Sequence, residues 1–156
     1  MSRKSPKLCF AASSGGHYEQ LMMLKPLMER YDSFVLTEKT QYQAKAQGRK
    51  TYYVGQINRK EKTVLLKLVL NGFRCLGIII KERPDVIVCT GVLAMLPMCL
   101  LMKLFGKKLI YIESFAKVTS ATESGKLLYR FADQFYVQWE SMKDIYPNAI
   151  CLGSIY

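Results

Sequence analysis

The stretch Leu8-Cys9-Phe10-Ala11-Ala12-Ser13-Ser14-Gly15-Gly16-His17 decides how this chain is read. Five apolar residues without polar alternation describe a short strand covered on both faces. The small-residue turn Ser13–Gly16 ends it, and a helical pattern begins at once, with Leu21, Leu24, Leu27 and Met28 on one face. Such a turn keeps bulky side chains away from a ligand. It also aims backbone N–H groups from a helix N-terminus, where a phosphate or diphosphate is favoured.

Outward from this unit, strand and helix patterns alternate. Strands are predicted at residues 7–12, Ser33–Thr37, Tyr52–Val54, Asp85–Cys89, Leu109–Ile112, Gln134–Val137 and Ala149–Leu152. Helices are predicted at residues 16–30, Lys62–Lys81 (stopping before Pro84), Leu93–Phe105, Glu123–Phe131 and Ser141–Tyr146. The fold class is α/β: a Rossmann-like, doubly wound parallel sheet in a single domain spanning residues 1–156. Ligands of such sheets sit at the carboxyl ends of the strands, which are Ser13–His17, Thr37–Lys39, Thr90–Gly91 and Glu113–Ser114.

Half of the 156 residues are hydrophobic and 22% are charged, which excludes a disordered chain. The net charge of +11 implies an anionic partner: nucleic acid, an acidic membrane surface or a phosphorylated substrate. Cys9, Cys75, Cys89, Cys99 and Cys151 form no CxxC pair, and His17 is the single histidine, so no metal site is expected. The thiols read as reduced and buried, as in a cytosolic protein. Met1–Lys7 is basic, and the apolar run behind it is too short for a signal peptide. No stretch reaches the roughly 18 apolar residues that span a bilayer.

Each candidate residue has two readings. Ser13, Ser14, Gly15 and Gly16 form either a tight connection or an anion-binding loop. His17 either caps its own turn or serves as a diphosphate contact or general base, a helix N-terminus favouring the neutral, proton-accepting imidazole. Thr90 and Gly91 open a second loop that allows close backbone approach, with Pro97 suited to the first turn of the next helix. Glu113 is a surface charge or a catalytic base. Glu38 imitates the ribose-binding acid of a dinucleotide fold, but the adjacent glycines do not make GxGxxG, so a stand-alone nicotinamide enzyme is the weaker rival.

The Lys62–Lys81 helix carries Lys67, Asn71, Arg74 and Lys81 along one face, and most of its remaining circumference, Phe73 included, is apolar. It is either buried between layers or lies on anionic lipid with Lys67, Phe73, Arg74 and Lys81 toward the membrane, joined by Lys103 from the next helix. The stretch Lys39, Lys45, Arg49, Lys50, Arg59, Lys60, Lys62 and Lys67 is dense in positive charge, with Tyr42, Tyr52 and Tyr53 interleaved. These suit lipid headgroups or stacked bases, which keeps a basic nucleic-acid module open.

Three stretches in order carry a family resemblance: the Ser13–His17 loop, Val88-Cys89-Thr90-Gly91 through Pro97, and Tyr111–Val118 followed by Ser124-Gly125-Lys126-Leu127. Together they resemble the acceptor-side half of split GT-B glycosyltransferases, the Alg14-like oligosaccharide-biosynthesis family and its bacterial PssD-type capsule and exopolysaccharide relatives. The resemblance covers essentially the whole chain. It implies the N-terminal half of a GT-B enzyme, with no cofactor and no nucleic acid as partner. This half would bind a polyprenyl-diphosphate-linked acceptor, with Gly15 and Gly16 at the diphosphate and His17 and Glu113 beside the attacking hydroxyl. A separate small subunit would bring the UDP-sugar. MurG-type transferases share the glycine-glycine-histidine loop but continue into a second half, whereas this chain stops at Gly153–Tyr156. Attachment would be peripheral, at the cytoplasmic face of the membrane.

Overall fold

Strands without polar alternation demand cover on both faces, and the chain supplies it by alternating strand with helix. The computed structural model describes residues 5–40, 48–91 and 93–156. Among these, seven strands form one sheet: β1 (Leu8–Ala12), β2 (Ser33–Glu38), β3 (Thr51–Val54), β4 (Val86–Gly91), β5 (Lys108–Ile112), β6 (Gln134–Val137) and β7 (Ile150–Cys151). Their order is β3-β2-β1-β4-β5-β6-β7, and every neighbouring pair is parallel. The chain steps outward from β1 to β3 and then returns to the other side of β1 for β4. The order therefore reverses between β1 and β4, and the loops at their carboxyl ends face each other across a topological switch point.

Helices α1 (Gly16–Met22) and α2 (Lys25–Arg30) pack on one face, against Phe10, Ala12, Val35, Val88 and Ile112. Helices α3 (Val64–Glu82), α4 (Leu96–Leu104) and α5 (Glu123–Leu128) cover the other, where Ala11, Phe34, Leu36, Ile87, Cys89, Leu109 and Tyr111 lie buried. Successive strand residues thus alternate between two cores. The α1/α2 face is the thinner cover. Beyond it, Ile110, Ile112 and Tyr136 floor an apolar cleft of about 270 Å³ walled by Leu24, Leu27 and the tail residues Leu152 and Ile155.

Four of the expected helices differ from the observed ones. The single helix expected over 16–30 is two, because Pro26, in the first turn of α2, has no N–H and its ring collides with the carbonyl four residues back. Leu27 consequently turns outward to the cleft wall instead of joining the core. The helix expected at 93–105 starts with a 3-10 turn, Leu93–Met95, before α4. The Ser141–Tyr146 helix is a 3-10 turn, Glu140–Asp144, and α5 stops at Leu128. At the end of α3, Arg83 adopts φ 49° and donates its N–H to the Ile79 carbonyl, with Pro84 next, a stop of the left-handed type.

All five cysteines are free thiols, four buried and Cys151 half-buried. Burial pushes Cys75 up to about 12 and holds Cys9 well above the ordinary thiol value, so these thiols act as small apolar side chains.

Candidate functional site

The two glycine loops meet at the switch point and hold His17 between them. The Ser13 N–H donates to the Gly91 carbonyl (2.7 Å), which carries β1 into register with the end of β4. His17 Nδ1 lies 2.8 Å from the Thr90 carbonyl oxygen, and Thr90 Oγ1 donates to the His17 carbonyl at 2.7 Å. A carbonyl only accepts, so Nδ1 carries a proton, and in the neutral ring Nε2 is the accepting nitrogen. Gly91 makes this fit possible. Its φ is 110°, and a Cβ there would stand 3.2 Å from His17 Nδ1.

Gly15 and Gly16 are exposed, and a Cβ on either would meet nothing within 4 Å. Their side opens to solvent beside His17. Ser13 is buried and Ser14 half-buried. Ser14 is already engaged: its N–H (3.2 Å) and its Oγ (3.1 Å) both donate to Glu38 Oε2. Glu38 Oε1 accepts the Ile57 N–H at 3.3 Å, and the residue is only 7% exposed. This carboxylate is spent inside the protein and is not offered to a ribose, which removes the residue that the nicotinamide reading relied on.

Glu113 does not face solvent. It is 1% exposed, and its carboxylate accepts from the Ser114 N–H (2.9 Å), the Thr122 N–H (3.3 Å), Thr122 Oγ1 (3.0 Å) and the Tyr146 hydroxyl (3.0 Å). Thr122 in turn caps α5, its Oγ1 accepting the Gly125 N–H at 2.9 Å. A Cβ on Gly125 would sit 2.2 Å from Glu113 Oε2, so the close approach of α5 to this carboxylate requires glycine. Burial, and then the Glu113 charge, push the Tyr111 and Tyr146 phenols upward. The residue expected beside a reacting hydroxyl is thus the buried tie of the 113–125 loop. A second tie lies next to it. Gln138 Nε2 donates to Gln20 Oε1 (3.0 Å) and to the Glu113 carbonyl (2.9 Å), and Gln138 Oε1 accepts the Ile155 N–H (3.2 Å).

The faces of α3 sort themselves. Asn71 is buried and Lys67 half-buried, both turned toward the β3 side: Lys67 pairs with Glu61, and Lys81 lies 5.7 Å from the centre of the Tyr52 ring. Cys75, Ile78 and Ile79 point into the core. Leu65, Leu66, Val69, Leu70, Phe73 and Ile80 stand exposed, Phe73 at 69%, and α4 adds Leu100 and Leu104. One side of the helix is thus buried, as the first reading expected, and the other carries exposed apolar side chains. Arg74 is exposed, but Lys103 is not a free cation, being paired with Asp133 at 2.8 Å. Lys45 and Tyr42 of the basic stretch, and Met1–Lys4, lie outside the described residues. No described helix is long and apolar enough to cross a membrane.

Sequence reasoning missed Thr122, Tyr146, Gln20, Gln138 and the bracing role of Glu38. A threonine three residues before Gly125 is a helix-cap signal that could have found Thr122. The others are partners across distant segments, with no local signature.

Solved structures of GT-B type enzymes share this fold. The chain superposes on Acinetobacter baumannii MurG with a TM-score of 0.70 at 17% identity, covering 87% of this chain and 43% of that one. Against the Methanocaldococcus jannaschii UDP-GlcNAc 2-epimerase solved with UDP-GlcNAc and UDP, the TM-score is 0.74 at 12% identity, covering 95% and 46%. The chain therefore spans less than half of either enzyme, and these likenesses establish a Rossmann-like α/β fold. Residues 8–155 match the family described as oligosaccharide biosynthesis protein Alg14 like, and the chain belongs to that family. The UDP-N-acetylglucosamine transferase subunit ALG14 of Mus musculus is 28% identical over 98% of this chain and 84% of its own length. The human protein of that name is 25% identical over the same shares.

Proposed function

We propose that this chain is the acceptor-binding subunit of a two-component glycosyltransferase, in which Gly15 and Gly16 grip a lipid-linked diphosphate and His17 lies beside the attacking hydroxyl. The observation that carries the reading is the lock on His17: Thr90 and Gly91 hold the imidazole through Nδ1 beside two exposed glycines, and Nε2 has no hydrogen-bond partner among the described residues. That arrangement suits a group that accepts a proton from a sugar hydroxyl while neighbouring N–H groups face the diphosphate. Gly16 has open space around its Cβ position among the described residues, which leaves room for a ligand against the loop. Family membership supports transferase chemistry, since the relatives are named as subunits of a UDP-N-acetylglucosamine transferase.

A small UDP-sugar-binding partner would complete the site at the carboxyl edge. The ordered tail supports an interface there. Ile155 is tied to Gln138, Tyr156 packs edge-on against Phe115 at 5.1 Å, and the tail walls the apolar cleft beside Leu24 and Leu27. The outward apolar side of α3, flanked by Lys62, Arg74 and Lys81, supports peripheral seating on the cytoplasmic leaflet. Capsule or exopolysaccharide assembly is the setting that the PssD-type resemblance favours. On this assignment Glu113 is a positioning residue for the 113–125 loop.

The test is sugar transfer from UDP-N-acetylglucosamine to a polyprenyl-diphosphate-linked sugar, by this chain alone and with the partner. Transfer only by the pair, lost in His17→Ala, supports the reading. Full transfer by this chain alone would sink it.

A further inference from the structure

The glycine loop has a carboxylate pressed against it, and that is an electrostatic cost in any site for an anion. Like charges within several ångströms repel, the more so where the carboxylate is buried. Glu38 is such a group: 7% exposed, with Oε2 taking both the N–H and the hydroxyl of Ser14, the residue before Gly15 and Gly16. Its other oxygen takes the Ile57 N–H. Two residues before Ile57, Gly55 is held at both ends by one side chain. Its N–H donates to Asn71 Oδ1 and its carbonyl accepts from Asn71 Nδ2, each at 2.8 Å. Asn71 is 1% exposed, on the inner side of α3. Hydrogen bonds at both ends of the Gly55–Ile57 backbone therefore link the centre of α3, through Glu38, to the glycine loop.

We propose that Glu38 is a positioning residue that fixes the Ser13–His17 loop, and that Asn71 anchors this fixation to α3. Every oxygen of Glu38 faces a donor, and so does Asn71 Oδ1, while the Asn71 amide nitrogen faces an acceptor. A glutamine at position 38 has one accepting oxygen and one donating nitrogen, so it must oppose a donor either at Ser14 or at Ile57. An alanine at position 71 strands both polar groups of Gly55. The anion-binding consequence rests on the proposed diphosphate reading, but the mechanical tie does not.

Amide hydrogen exchange on the full chain tests the tie directly. In Glu38→Gln the Ser14 and Ile57 amides are expected to exchange about tenfold faster, and in Asn71→Ala the Gly55 and Ser14 amides likewise, while Phe10 and Val88 in the sheet keep their protection. Asn71→Asp keeps the acceptor for the Gly55 N–H and serves if the alanine variant does not fold. Unchanged exchange at Ser14 in Glu38→Gln overturns the role of Glu38, and unchanged exchange at Ser14 in both Asn71 variants overturns the anchor. Binding of inorganic pyrophosphate then gives a diagnostic sign. A carboxylate that merely sits nearby would, when neutralised, let the anion bind more tightly. A positioning carboxylate gives binding about tenfold weaker in Glu38→Gln despite the lost repulsion. Unchanged or tighter binding overturns the role in ligand binding. Absence of pyrophosphate binding by the parent chain counts against the diphosphate reading itself and leaves the exchange result to decide the tie.

Discussion

His17 and Thr90 hold each other twice: Nδ1 donates to the Thr90 carbonyl at 2.8 Å, and Thr90 Oγ1 donates to the His17 carbonyl at 2.7 Å. The first bond puts the proton on Nδ1 and the second sets the first turn of α1, so loop and imidazole are positioned by the same residue of β4. A side chain at position 91 would press on the ring that makes the first of these bonds.

Gly91→Ala therefore injures function through geometry. The new Cβ would lie 3.2 Å from Nδ1, and alanine at φ 110° is strained. Strain of this kind costs about 1–3 kcal/mol. We expect a matching loss of unfolding free energy in urea, together with a larger proportional loss of transfer than of stability. A nitrogen-15 NMR spectrum of the imidazole should show the Nδ1–H form in the parent and a mixed population in the variant. Parent-like tautomer and full transfer would show that the fit around His17 has no functional weight.

His17 and Glu113, paired in the sequence reading, should separate in experiment. His17→Ala removes a half-buried ring and its hydrogen bond to the Thr90 carbonyl, and should cost about 1 kcal/mol of stability while abolishing transfer. Glu113→Ala leaves the Thr122 and Tyr146 hydroxyls and the Thr122 and Ser114 N–H groups without their acceptor. It should cost about 2–4 kcal/mol in chemical denaturation. Gly125→Ala, with its Cβ 2.2 Å from Glu113 Oε2, should be at least as damaging. A Glu113→Gln protein of parent stability and no transfer would instead return Glu113 to catalysis.

The element types and the site's edge were legible because the strands are short, apolar and bounded by glycine and proline. The Ser13–His17 and Thr90–Gly91 loops fall at strand ends, so an α/β reading already puts them at one edge. Pairing between distant segments was not legible. Nothing around Glu113 distinguishes a carboxylate at a reacting centre from one wrapped by Thr122 and Tyr146, because both close a strand at the same edge. Glu38 misled for a related reason: its place after β2 is that of a ribose-binding acid, and only the position of Ser14 shows the carboxylate to be occupied. In α3 the hydrophobic residues exceed what one core needs, which correctly signalled a second apolar face. The side-chain amide of Asn71 looked like part of a polar stripe because burial of an amide against Gly55 leaves no trace in periodicity.

Acid should loosen the amino edge of the sheet first. Burial raises the Glu82 carboxyl, but hydrogen bonds from Lys50, Lys7 and Tyr52 outweigh it and bring Glu82 from its ordinary 4.5 down to about 2. Burial likewise opposes, and Lys103, the Leu109 N–H and Lys108 outweigh, the shift of Asp133 from 3.8 to about 2. Depressed carboxyls contribute stability above their unfolded values and lose it as pH falls through the folded ones. Stability should hold at neutral pH and decline from about pH 4.5 toward pH 2. Glu82→Gln should cost about 1–3 kcal/mol at pH 7 and flatten this decline. An acid profile identical to the parent's would show that Glu82 carries none of it.

The exposed side of α3 is the surface on which membrane seating can be tested alone. Leu66, Leu70 and Phe73 are 59%, 52% and 69% exposed, and none belongs to the buried core, so polar replacements should leave folding intact. Leu66→Asp with Phe73→Asp both removes apolar area and adds negative charge opposite an anionic leaflet. In sedimentation with vesicles of phosphatidylglycerol and phosphatidylcholine, we expect at least tenfold weaker binding for this pair. Reversing Lys62 and Arg74 to glutamate should weaken it further, at about 1 kcal/mol for each basic residue removed from near the surface. The charge contribution should shrink as salt rises and the apolar contribution should not, because only the former is screened. If vesicle binding by the parent depends on salt alone and ignores Leu66 and Phe73, the helix face is not the seat, and the net charge of +11 acts as a diffuse attraction.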